Sequence, residues 1–182
     1  MSVGPYFNHL SEVGVGDAVT NPERIRTLLD PTIPNHPNPR FHDFLNDAKV
    51  MEAGYTWVQV DLRGTGASTG CLDWNGPGEQ QDVVTAVEWA AVQPWSNGRV
   101  GLFGKSYDGV TGLIAAGNQP RGLAAVVAQE PAMEPYTYLY NNEVPYYNAI
   151  GTSLSYDEIA ASPGRVLHDL SLIHISEPTR LG

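Results

Sequence analysis

One serine of this chain lies in a sequence context that suits nucleophilic chemistry. The largely hydrophobic residues 99–103 lead to Gly104, Ser106 follows two positions later, and small or apolar residues continue from Gly109 to position 116. This pattern predicts a buried strand that turns sharply into a helix, with the serine at the apex. Such a turn exposes the hydroxyl and directs the N–H groups of the helix N-terminus at the same point, where a developing oxyanion is stabilised. The segment therefore predicts a serine that attacks a carbonyl carbon.

Two other interpretations of the segment explain fewer of its residues. Residues 104–106 match the end of a phosphate-binding loop, but that loop needs a glycine where the chain has Arg99. A serine that only caps a helix would not require the preceding glycine or the strand that leads in. The strict G-x-S-x-G pattern is also not met, because Asp108 holds its last position and Gly109 comes one residue later.

The elements that would position this serine alternate between helical and extended patterns. Hydrophobic periodicity predicts helices over residues 41–51, 79–92 and from the serine to about 116, and strands over residues 55–60, 100–103 and 123–128. Strands separated by helices indicate parallel βαβ units, and hence an α/β fold with a mostly parallel sheet. Residues 7–40 are rich in proline and asparagine and predict a long surface excursion. The glycine-rich turn at 64–70 resembles a dinucleotide loop only weakly, since Thr69 replaces the third glycine and no helix begins there.

Four ordered blocks of sequence carry a family resemblance, which extends from about Gly4 to about Tyr147. Residues 104–109 resemble the G-x-S-Y-x-G elbow of the X-prolyl dipeptidyl peptidase and cocaine esterase family of α/β-hydrolases, and residues 95–101 resemble its lead-in. Residues 54–70 are similar to the strand and D-x-R-G-x-G-x-S-x-G turn of that family, and Pro5-Tyr6 to a Pro-Tyr that ends an earlier strand.

The resemblance implies a truncated α/β-hydrolase with specific roles for three residues. Ser106 would be the nucleophile of an acyl-enzyme mechanism, and the backbone N–H of Tyr107 and the hydroxyl of Tyr6 would be the oxyanion donors. Asp108 departs from the family pattern, in which this position is usually apolar, and it keeps open the alternative of a non-catalytic binding protein with the same fold. Ester hydrolases, X-prolyl dipeptidyl peptidases and β-lactam acylases share the elbow, so the expected substrate is a small-molecule ester or a peptide.

The resemblance also divides the chain into parts. Residues 1–132 would form a partial hydrolase core and residues 133–169 the beginning of a helical cap inserted after the strand at 123–128. Six tyrosines lie in that second part, and they could line a substrate pocket or pack the cap onto the core. They are Tyr136, Tyr138, Tyr140, Tyr146, Tyr147 and Tyr156.

The end of the chain differs in character. Residues 170–180 resemble the translation of a widely used transposase sequencing adapter, so residues 170–182 are expected to be a non-native tail that is not part of the fold. In α/β-hydrolases the triad order is serine, acid, histidine, and His168 has no later strand to support it as the base. The chain as given is therefore expected to lack the triad acid and histidine and to be an inactive, poorly folded fragment.

Composition excludes several other classes of protein. The net charge of −10 argues against nucleic acid or an anionic membrane as a partner, and no run of apolar residues is long enough to span a bilayer. His9, His36 and His42 lack metal-ligand spacing, so neither a metal nor another cofactor is expected. A lone cysteine, Cys71, excludes an internal disulfide. No secretory signal is visible, which makes the cytoplasm the default expectation, and the oligomeric state is left open.

Overall fold

A computed structural model describes residues 1–7, 41–66, 68–132 and 134–147 and the single positions 149, 152 and 156. Most of the predicted surface excursion, the predicted tail, and His9, His36 and His168 lie outside these residues. The described elements, in chain order, are β1 (Ser2–Gly4), α1 (His42–Asp47), β2 (Gln59–Asp61), α2 (Pro77–Ala91), β3 (Val100–Lys105), α3 (Tyr107–Asn118), β4 (Leu123–Gln129), α4 (Pro135–Leu139), β5 (Tyr140–Asn141) and β6 (Val144–Pro145).

The first four strands form two parallel pairs that are joined through Met1. β1 pairs with β2 from Ser2 opposite Gln59, and β3 pairs with β4 over its whole length. The Met1 amino group donates to the carbonyl of Gly101 at 3.0 Å, and the N–H of Phe103 donates to the carbonyl of Met1 at 3.0 Å. The strands therefore lie in the order β2-β1-β3-β4, and the predicted parallel arrangement is confirmed for these strands.

Helices α2 and α3 cover one face of these strands. α2 begins with Pro77 in its first turn, where a missing N–H costs nothing, and buries residues at a helical spacing, including Val83, Val87 and Ala90. These side chains pack in one cluster with Val3 of β1 and Leu102 of β3. The predicted helix over 79–92 and the strands at 100–103 and 123–128 are confirmed with small shifts of their ends.

Two predicted elements were wrong in extent. The helix expected over 41–51 ends at Asp47, because Lys49 adopts a left-handed φ of 51° and the chain continues in turns to Gly54. The aromatic residue Phe44 of that short helix instead stacks on Phe103 of β3 at a ring distance of 3.9 Å. The strand expected over 55–60 is confined to Gln59–Asp61.

The strand predicted over residues 55–60 is shorter in the structure because the apolar residues of this segment are not the residues that pair with β1. Tyr55 is 66% exposed, whereas Trp57 and Val58 are buried outside the strand. The carbonyl of Val58 still accepts a hydrogen bond from Ser2 at 2.8 Å, so the segment runs alongside β1 before regular pairing begins.

The residues after β4 begin with a short helix and a hairpin. α4 is capped by the Glu134 carboxylate, which accepts from the N–H of Tyr136 at 3.1 Å and of Thr137 at 2.6 Å. β5 and β6 pair in antiparallel fashion directly afterwards. None of the helices in the described part of the chain is long and apolar enough to cross a membrane.

Candidate active site

The sheet topology brings two candidate residues to one place. The chain passes from β1 to β2 on one side of β1 and then returns to place β3 on its other side. In open α/β sheets, ligands bind at the carboxyl ends of the strands where the order reverses in this way. Tyr6 follows the carboxyl end of β1 and Ser106 follows that of β3. Both therefore lie at the crevice between these adjacent strands.

Ser106 occupies the turn between β3 and α3, as the sequence predicted. Its backbone has φ 62° and ψ −120°, a conformation that residues other than glycine rarely adopt, and the residue is exposed. Its N–H donates to the carbonyl of Gln129 in β4 at 3.0 Å, and its own carbonyl accepts from Val110 in α3 at 3.0 Å. Main-chain hydrogen bonds to a strand and a helix thus hold the strained residue on both sides.

The glycines beside the serine are required by close contacts. A methyl group on Gly104 would overlap the backbone carbonyl of Asp108, and one on Gly109 would lie 2.8 Å from the carbonyl of Gln129. The chain can therefore reverse from β3 into α3 only if these positions carry no side chain. This is the physical reason for the glycine spacing in the sequence.

A third residue, Tyr156, joins the two candidates. Its hydroxyl is hydrogen-bonded to the hydroxyl of Tyr6, and the side chain of Ser106 lies near it. Burial, and next the charge and hydrogen bond of Tyr6, raise the pKa of Tyr156 well above its ordinary value, although the nearby Ser106 side chain acts in the opposite direction. The hydrogen-bonded pair Tyr6–Tyr156 thus lies beside the Ser106 side chain. Sequence reasoning placed Tyr156 only among six tyrosines and could not single it out.

Asp108 is 2% exposed and packs against the first strand. A methyl group on Gly4 would overlap the Asp108 carboxylate, so the glycine at the end of β1 leaves the space that this acidic side chain fills. One turn along α3, the Thr111 hydroxyl lies 2.6 Å from the carbonyl of Val3, in the same strand. Asp108 therefore lies beneath the turn, between α3 and β1.

The Tyr107 side chain is hydrogen-bonded to the buried carboxylate of Glu79, a contact that the sequence did not predict. Its hydroxyl donates to the Glu79 carboxylate at 2.5 Å, and the Glu79 residue is fully buried. Burial, and next the bond to Glu79, raise the pKa of Tyr107 well above its ordinary value. An acidic residue in the first turn of a predicted helix is common for reasons of charge alone, so the sequence held no signal for this contact.

No group of three acidic, histidine or cysteine side chains among the described residues could hold a metal ion. The chemistry that the described arrangement can perform depends on the exposed hydroxyl of Ser106 and on the donors around it. A sharp, strained strand-to-helix turn is a backbone geometry that presents a serine hydroxyl as a nucleophile.

Comparison with known proteins identifies the family. Residues 4–169 match the sequence profile of the X-Pro dipeptidyl-peptidase (S15) family. Because the match covers most of the chain, the protein belongs to this family of hydrolases. The predicted family resemblance is therefore confirmed.

Individual relatives have esterase and hydrolase names. The chain is 35% identical over 91 residues, 49% of its length, to a Mycobacterium bovis protein named "Putative serine esterase Mb1866c", and covers 14% of that protein. It is 33% identical over 91 residues, 50% of its length, to the cocaine esterase of a Rhodococcus species, and covers 16% of it.

The solved structure of a CocE/NonD family hydrolase from Staphylococcus aureus matches 58% of the chain with a TM-score of 0.52 and 30% sequence identity. The match covers 20% of that hydrolase. The chain thus spans less than a fifth of the length of the Mycobacterium bovis protein and of the cocaine esterase.

Proposed function

We propose that Ser106 is the nucleophile of a serine hydrolase that cleaves an ester or peptide bond through an acyl-enzyme. The observation that carries the proposal is the strained, exposed backbone of Ser106 at the β3–α3 turn, with φ 62° and ψ −120°. Such strain is retained in folded proteins where the surrounding structure and the function require it. Membership of the S15 family supports the reaction class.

In this mechanism the attacked carbonyl oxygen becomes an oxyanion that needs hydrogen-bond donors. The N–H of Tyr107 belongs to the first turn of α3, whose N–H groups have no partner within the helix. The hydroxyl of Tyr6 is the second donor in the proposal, since Tyr6 follows the neighbouring strand β1 and its hydroxyl is bonded to Tyr156, which lies near Ser106. Each donor of this kind contributes about 3–4 kcal/mol to the stability of the transition state.

Tyr156 must then give way to substrate. Its hydroxyl is hydrogen-bonded to the Tyr6 hydroxyl, the group that would donate to the substrate carbonyl oxygen in this mechanism. The acid and the histidine of the triad would be supplied by residues that follow the described part of the chain, in the order serine, acid, histidine. The histidine would take the proton from the Ser106 hydroxyl during attack and return it to the leaving group.

The test uses the complete protein encoded by the gene from which this chain comes, because the chain spans only part of its relatives. Hydrolysis of p-nitrophenyl acetate and labelling by a fluorophosphonate are measured in the wild type and in Ser106→Ala. Ser96→Ala is the matched control, since Ser96 also lies in a turn and its hydroxyl accepts only a local N–H, that of Gly98, at 3.1 Å.

The proposal requires both activities to disappear in Ser106→Ala and to persist in Ser96→Ala. Turnover or labelling that survives in Ser106→Ala would refute it. A complete protein that is folded but shows neither activity, even in the wild type, would favour the alternative of a non-catalytic binding protein with the same fold.

A further inference from the structure

The buried side chain of Glu79 contacts Tyr107, the residue that directly follows the proposed nucleophile Ser106. Glu79 belongs to the first turn of α2 and has no solvent exposure. A carboxylate removed from water is tolerated only when hydrogen bonds replace its hydration. Its four partners therefore show what the side chain organises.

Three of those partners are consecutive backbone N–H groups of the loop before α2. The groups of Asp73, Trp74 and Asn75 donate to Glu79 at 2.9, 3.0 and 2.8 Å. Trp74 and Asn75 both have positive φ angles, 50° and 65°, so their N–H groups point into a concave site for an anion. The carboxylate thus holds a loop conformation that the residues would not adopt by themselves.

The loop returns two hydrogen bonds to the helix. The Asp73 carboxylate accepts from the N–H groups of Gly78 at 2.9 Å and Glu79 at 3.2 Å, which caps the start of α2. Asp73 and Glu79 therefore bind each other's backbone. This reciprocal arrangement sets the position of the Glu79 carboxylate rigidly with respect to the core.

The fourth partner is the Tyr107 hydroxyl, at 2.5 Å. Tyr107 is 5% exposed and directly follows Ser106. Its ring also contacts Trp74 of the same loop, at 6.3 Å between ring centres, and Tyr156, at 5.2 Å. The residue that begins α3 is thus held at the far end of its side chain by a charged acceptor on a different helix.

From this geometry we infer that Glu79 is a positioning residue for the reaction: by holding the Tyr107 side chain it keeps the Tyr107 N–H and Ser106 in the geometry that stabilises the oxyanion. The inference rests on the proposed function of Ser106. Glu79 does not touch the reacting atoms, and it acts through Tyr107. Catalysis is sensitive to displacements of this kind, since a misplacement of about 1 Å can lower the rate by about 100-fold.

The test compares Glu79→Gln, Tyr107→Phe and the double variant in the complete protein. Tyr107→Phe removes the hydroxyl and leaves the loop bonds of Glu79 intact, so it remains informative if Glu79→Gln does not fold. We expect kcat for an activated ester to fall by about 10-fold in Tyr107→Phe and by about 10- to 100-fold in Glu79→Gln, with little change in KM. Because both residues act through one bond, the double variant should lose no more than Glu79→Gln alone.

Matched controls separate positioning from general destabilisation. Glu88→Gln makes the same change on the same helix, where Glu88 accepts from the N–H of Arg121 at 3.2 Å. Tyr55→Phe is the matched control for the loss of a phenol hydroxyl, since Tyr55 is 66% exposed and precedes the amino end of β2, whereas the site lies at the carboxyl ends of the strands. Glu88→Gln and Tyr55→Phe should keep kcat within about twofold of the wild type.

An unchanged kcat in Tyr107→Phe, a loss confined to KM, or additive losses in the double variant would each overturn the inference. The wild type and Ser106→Ala, assayed in parallel, distinguish this failure from failure of the proposed function, which leaves turnover in Ser106→Ala or gives none in the wild type.

Discussion

Tyr107→Phe should change how the stability of the protein depends on pH. The Tyr107 hydroxyl is buried and bound to the Glu79 carboxylate, and these two conditions raise its pKa above the ordinary value. The neutral phenol is therefore favoured in the folded state, whereas an unfolded tyrosine ionises near pH ~10. The stabilisation is present in full below that pH and is lost as the pH rises above it.

The size of the effect follows from proton linkage. Each tyrosine that is kept neutral by folding lowers the free energy of unfolding by about 1.4 kcal/mol per pH unit above pH ~10. At neutral pH the variant lacks a hydrogen bond to a charged acceptor, which costs about 1.5–3 kcal/mol. The wild type is therefore more stable at pH 8, and the two unfolding curves should converge about one to two pH units above 10.

The assay is urea unfolding of the complete protein between pH 8 and 11.5, together with the near-ultraviolet absorbance of phenolate. In the folded state the wild type and Tyr107→Phe should titrate alike, because Tyr107 stays neutral, whereas in urea they should differ by one tyrosine. Tyr136→Phe, at a ring that is 49% exposed, is the matched control for the loss of one tyrosine. The reasoning would be refuted if the free energies of unfolding of the wild type and of Tyr107→Phe depended on pH with the same slope. It would also be refuted if folded Tyr107→Phe showed one ionising tyrosine fewer than the folded wild type.

Three other predictions concern the site and the chain itself. Tyr6→Phe should lower the turnover of an ester by about 100-fold, as for loss of one oxyanion donor, and an unchanged kcat would remove Tyr6 from the mechanism. Gly104→Ala should place a methyl group against the Asp108 carbonyl, destabilise the protein by about 1–3 kcal/mol and reduce labelling of Ser106; a melting temperature equal to that of the wild type would contradict it. The chain of residues 1–182 should show no turnover of p-nitrophenyl acetate that is lost in Ser106→Ala, and such turnover would disprove the expected inactivity.

The sequence was most informative where structure depends on neighbours in the chain. The turn at Ser106 could be predicted because the strand, the glycines and the helix lie within twenty residues, and Gly104 is required by a contact with Asp108, only four positions away. The extent of β2 and α1 could not be predicted in the same way. Trp57, Val58 and Phe44 are apolar because they pack against other elements, and the apolar pattern by itself does not say whether the backbone there forms a helix, a strand or neither.

By itself the sequence determined the family, the order of the elements and the serine at the strand-to-helix turn, because these depend on local motifs. Only the tertiary structure brought Tyr6 and Tyr156 together across 150 positions of sequence, and Glu79 and Tyr107 across 28. Contacts at such separations have no periodic pattern that one sequence could show. They depend on which strands are neighbours in the sheet and on the unusual φ angles of a loop whose N–H groups converge on one carboxylate.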